Sequence, residues 1–136
     1  VSLSGEGLRV AGPVFLDSGF KAHGEVRLSG AIIGGQLSCS QGIFDNPKGN
    51  SLYAASLQVT NDVFLYNGFI SNGRVNFSGA RIGGQLSCSC SQFCNREGDA
   101  LNAQGMKVVG SFVWRCVSNV QGKVVLTSAH VGDLVD

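Results

Sequence analysis

Residues Gly79–Cys88 read GARIGGQLSC, and Gly30–Cys39 read GAIIGGQLSC. A degraded copy, SAHVGDLV, occupies Ser128–Val135, so the unit starts at 30, 79 and 128, a constant step of 49 residues. A second marker keeps the same step: VFLDSGF from Val14, VFLYNGF from Val63 and FVWRCVS from Phe112. Self-similarity at a fixed period of this size is the mark of a repeat architecture, in which each unit buries its apolar face only against its neighbours.

Working outward, each period divides again. Leu52-x-Ala54, Leu57-x-Val59 and Val63-x-Leu65 match Val75-x-Phe77, Ala80-x-Ile82 and Leu86-x-Cys88 at a shift of 23 residues, and the next shift, from Val75 to Leu101, is 26. The unit is therefore one coil of alternating length, carrying three short strands and a closing loop. Coils are expected to begin at Leu3, Val26, Leu52, Val75, Leu101 and Val124, the last incomplete. This makes one domain over 1–136, with repeats at 3–51, 52–100 and 101–136.

Side chains two apart in a strand share a face. Stacked coils then align apolar columns: Leu3, Val26, Leu52, Val75, Leu101 and Val124 from the first strand, and Val10, Ile33, Val59, Ile82, Val108 and Val131 from the second. The third strand supplies Leu16, Cys39, Leu65, Cys88 and Trp114. Like-sized apolar columns are what a parallel β-solenoid needs. The expected fold is all-β, a single-stranded parallel β-helix of about five and a half coils of 23 and 26 residues, right-handed by the crossover rule. The turn before the third strand holds Gly12, Gly35, Asn61, Gly84, Gly110 and Asp133, all types that tolerate positive φ, which is the expectation for that turn. Phe20 and Phe69 in the short-coil loops, and Phe44 and Phe93 in the long-coil loops (41–50 and 92–99), are expected to turn inward and plug the corner of the rod.

Composition agrees with this reading. Twenty Gly and two Pro leave no clean helical window, while 43% hydrophobic and 14% charged residues exclude a disordered chain. Net charge is +1, which gives no bulk attraction for nucleic acid, and the apolar runs are far shorter than the ~20 residues that span a bilayer. The chain opens on VSLSGEGL, already inside the pattern and without an initiator Met, so it is expected to be a piece of something longer.

The GAxIGGQLxC unit at Gly30–Cys39, with NPKGNSLYA at Asn46–Ala54 and VFLYNGF at Val63–Phe69, resembles a repeat found in uncharacterised bacterial proteins often labelled membrane-associated oxidoreductases. It is also similar in look to pentapeptide-repeat solenoids, although coils of 23 and 26 residues are longer than theirs. The resemblance implies a β-solenoid and carries no chemistry: no cofactor motif accompanies the oxidoreductase label, and no cofactor is expected. Ten basic against nine acidic residues do not make the acidic rod that duplex mimicry requires.

Three groups of residues are candidates for function. Cys90 and Cys116 differ by one long coil and should lie side by side, a candidate disulfide, with Cys94 as rival partner for either. Cys39 and Cys88 belong to the inward column, where a free thiol packs as a small hydrophobe. Arg9, Arg81, Lys107 and His130 share the outward second-strand column with Ile32 and Gln58, a candidate anion or polysaccharide surface. Phe15, Phe64 and Val113 form an outward apolar stripe broken by Ser38 and Ser87, a candidate interface. Neither a catalytic residue nor a metal site emerges: His23 and His130 have no nucleophile at matching height, and the run from Cys88 to Cys94, read with Cys116, lacks the C-x₂-C pairs or His partners of a metal knuckle, with Cys88 turned from its chain neighbours. The first reading is a structural or protein-interaction module that self-associates or binds another protein. Polysaccharide binding is the alternative, and a redox or other enzyme comes third.

Overall fold

Strands of two or three residues bury nothing alone; they become stable only when the coils above and below satisfy their backbone groups. The computed structural model describes residues 2–135 (the side chains of 118 and 119 excepted), and in it the pairing is parallel and in register along the rod. Leu3 pairs with Val26, Val26 with Leu52, Leu52 with Val75, Val75 with Leu101 and Leu101 with Val124. The second strands run Val10, Ile33, Val59, Ile82, Val108, Val131 in the same way. The third run Val14, Leu37, Val63, Leu86, Phe112, Leu134. This is a β-solenoid of about six turns, with no helix among the described residues. One parallel sheet holds the first strands and the closing segments, and the other holds the second and third strands.

The core is the stack of inward columns. Val26, Leu52, Val75 and Leu101 are fully covered, as are Ile33, Cys39, Leu65 and Cys88. At roughly 1.5–3 kcal/mol for each large apolar side chain removed from water, these columns supply the main driving force for stacking.

The closing segments differ from the loops expected. Ile43–Tyr53 and Gln92–Asn102 are continuous 11-residue strands, and Ile70–Asn76 is another of seven. Ile43, Phe44 and Asp45 pair with Ile70, Ser71 and Asn72, after which the register slips before Arg74 meets Asn50. An in-out alternation lets this segment join the sheet, so only the tip protrudes. There Asn46 donates from Nδ2 to the Asn50 carbonyl at 2.8 Å, and Asn95 does the same to Asp99 at 2.8 Å. That protrusion is the extra length of the long coils.

The four phenylalanines do turn inward, and they form a ladder. Ring centroids step from Phe20 to Phe44, Phe69, Phe93 and Trp114 at 5.3, 5.2, 5.6 and 5.2 Å. Small partners accommodate the long-coil rings: Ala22 and Ser71, both buried, lie opposite Phe44, and Ser71 also lies opposite Phe93. Short coils place the ring at the corner and long coils place it two residues further on, so the stack interleaves.

The glycine turn has a different cause from the one expected. None of Gly12, Gly35, Asn61, Gly84, Gly110 and Asp133 adopts positive φ. Coil-to-coil closeness selects glycine instead: a Cβ on Gly84 would lie 2.9 Å from the Asn61 backbone, and one on the neighbouring Gly83 would lie 2.2 Å from the Thr60 carbonyl oxygen. Positive φ sits elsewhere, at several corners including these two. One is the column Gly7, Gly30, Ser56, Gly79, Gly105 and Ser128, with φ of 58 to 69°. The other is Ser18, Gln41, Asn67, Cys90 and Cys116.

Candidate functional site

The corner after the third strand brings two thiols together. The Cys90 amide donates to the Arg115 carbonyl at 2.8 Å, which sets Cys90 directly beside Cys116 on the next coil. Both residues are exposed and both have φ of 54°. The Cys90 pKa is raised, first by its side-chain hydrogen bond with Cys116, then by desolvation. Cys94, the rival partner, donates its thiol to Gln121 Oε1 at 3.2 Å. Cys39 and Cys88 are enclosed in the core, and burial pushes both thiols far up. An enclosed thiol with no accessible thiolate is inert.

On the second-strand face, Arg9, Ile32, Gln58, Arg81, Lys107 and His130 stand on successive coils. The cations are not continuous. Arg81, Lys107 and His130 are neighbours, whereas Ile32 and Gln58 separate them from Arg9. Arg81 and Lys107 belong to none of the ion pairs among the described residues. A shallow depression of about 300 Å³ lies along this face, lined by Ile32, Gln58, Thr60, Arg81, Lys107 and Val109.

The third-strand stripe is uneven. Phe15 is 55% exposed, while Phe64 is half-buried with its ring stacked on Tyr66 at 4.8 Å. Ser38 and Ser87 are buried between these larger neighbours, and their hydroxyls bond to Ser40 and Ser89. Val113 is half-buried beside Ser87.

A feature that sequence reasoning missed lies between the long-coil protrusions. Pro47, Lys48 and Gly49 on one side, and Asn95 and Glu97 on the other, wall a crevice of about 220 Å³ over Arg74. The Arg74 Nε is buried without a hydrogen-bond partner. The equivalent position one repeat earlier is Glu25, which instead pairs with Arg27 at 2.7 Å. The repeated N-x-x-G-N/D spacing at Asn46–Asn50 and Asn95–Asp99 marks the walls in the sequence.

The two ends of the rod complete the inventory. Leu3 and Leu8 are 39% and 40% exposed at one end, and Val124, Leu126 and Leu134 are exposed at the other. At the latter end Phe112, Trp114, Val124, Leu126 and Leu134 line an apolar hollow of about 230 Å³.

The class defined by this geometry is the parallel β-solenoid repeat protein. No family model, curated protein or solved structure matches the chain. Among the described residues no helix is long and apolar enough to cross a membrane.

Proposed function

We propose that this chain is a non-enzymatic structural module that associates with a second copy of itself, end to end. The observation that carries the reading is the exposure of core-column residues in the first and last coils of this sequence, which a further coil, from a second copy or from adjoining chain, would cover. Leu3 and Val124 stand in the same column as Leu52 and Val75, which are fully covered. Two further features support a coil of the same kind beneath the first. Ser128–Val135 repeats the long-coil segments Gly30–Cys39 and Gly79–Cys88, and coil one is of the short type, so stacking the first coil of one copy on that segment preserves the alternation. Gly12 also has neither positive φ nor any atom within 4 Å of where its Cβ would lie, whereas its equivalent Gly110 is held to glycine by Gly84 below. A coil beneath Gly12 would restore that constraint.

Such a contact is heterologous, so it does not close on itself and propagates into a linear stack. Sedimentation of the chain at rising concentration should give mass growing beyond the dimer. Leu134→Asp and Leu8→Asp each spoil one end; separately both should sediment as monomers, and mixed they should form a dimer and nothing larger. A wild-type chain that stays monomeric at all concentrations would remove the reading. If Phe15→Ser with Phe64→Ser dissolves the assembly while the end variants leave it intact, the lateral stripe is the interface instead.

The depression beside Arg81 and Lys107 favours a second reading, binding of an anionic polysaccharide along the coil axis. Retention on immobilised heparin that falls with salt and is lost in Arg81→Gln with Lys107→Gln supports it; no retention at low salt removes it.

A further inference from the structure

We propose that Cys90 and Cys116 form a thiol–disulfide exchange site that staples the fifth coil to the fourth when it meets a low-molecular-weight disulfide. Three features single out this pair. The residues occupy equivalent corner positions on adjacent coils, where parallel strands run about 4.8 Å apart, inside the Cα separation that a disulfide bridges. They share the same positive φ, 54°, at successive coils of one corner column. Both are exposed, so a small disulfide can reach them. The remaining cysteines lack one or another of these properties. Cys39 and Cys88 are sealed in the core, and Cys94 is turned to Gln121.

The chemistry balances in two exchanges. The Cys116 thiolate attacks one sulfur of the reagent RSSR, forming a mixed disulfide and releasing RS⁻. Cys90, having given its proton to solvent, then attacks the Cys116 sulfur and expels the second RS⁻. Two protein thiols are oxidised and one RSSR is reduced to two RSH. The two thiols occupy equivalent exposed places, so the same two exchanges run with either one attacking first.

The staple would matter where the rod is weakest. Past Cys116, Val120, Val124, Leu126 and Leu134 are exposed, so tying this thinly covered segment to the fourth coil limits its local opening. Closing a loop of this size should raise the unfolding midpoint by on the order of 10 °C.

The test uses the whole chain incubated with oxidised glutathione, then alkylated and mapped by mass spectrometry without reduction. The expected product is a single internal bridge between the peptides holding Cys90 and Cys116, two hydrogens lighter, with a raised midpoint that returns on adding reductant. Cys90→Ser and Cys116→Ser should each abolish both the bridge and the shift, leaving a glutathione adduct on the surviving thiol. Cys94→Ser should leave both effects in place. Serine already occupies this corner at Ser18, so folding should survive these changes. A bridge that includes Cys94, two stable glutathione adducts in the wild type, or unreacted thiols at both positions would each overturn the proposal.

Discussion

The third coil and the first coil are built from the same kinds of residue and behave differently. Leu52 and Leu3 occupy one column and pair in the same parallel sheet, yet Leu52 is fully covered and Leu3 is 39% exposed. Phe69 is enclosed between Phe44 and Phe93, while Phe20 at the edge of the ladder touches only Phe44 and is half-buried. Burial in this fold is therefore a property of the neighbours and not of the coil. A coil at an end of the described residues carries the same apolar columns with half their partners missing.

The sharpest way to break that comparison is the ladder. Phe69→Ala should destabilise by about 3–5 kcal/mol, since it opens a cavity between two rings that cannot collapse together. Phe20→Ala should cost clearly less in the same denaturant titration. Equal losses would mean that the ends are as tightly packed as the middle.

The columns give a second pair. Leu52→Ala should cost about 2–4 kcal/mol, against roughly 0.5 kcal/mol for Leu3→Ala, whose side chain already meets water. Urea midpoints measured below the association concentration would check the difference.

The smallest effect concerns the turn. Gly83→Ala places a Cβ 2.2 Å from the Thr60 carbonyl oxygen and should cost about 1–3 kcal/mol through overpacking. Thr60 holds the equivalent place one coil below and is exposed, so Thr60→Ala should change stability by less than ~0.5 kcal/mol. Thermal melts of the two variants that superimpose would remove the coil-contact account of this turn.

These pairs also separate what could be read from the chain from what could not. The step of 49 residues, its division into 23 and 26, and the in-out alternation specify the coil register, because side-chain period and coil length leave one arrangement that buries every column. The inward Phe20, Phe44, Phe69 and Phe93, the buried Cys39 and Cys88, and the adjacency of Cys90 and Cys116 all follow from that register. The crevice over Arg74 did not, because it depends on protrusions from coils on either side of it.

By itself the sequence determined the period, the parallel stacking and the identity of the core columns, since these rest on spacing alone. Only the tertiary structure decided why Gly35, Gly83 and Gly84 must be glycine, that the closing segments pair as strands, and which apolar residues lack a neighbour. Those outcomes are set by distances between coils, and the order of residues within one coil does not contain them.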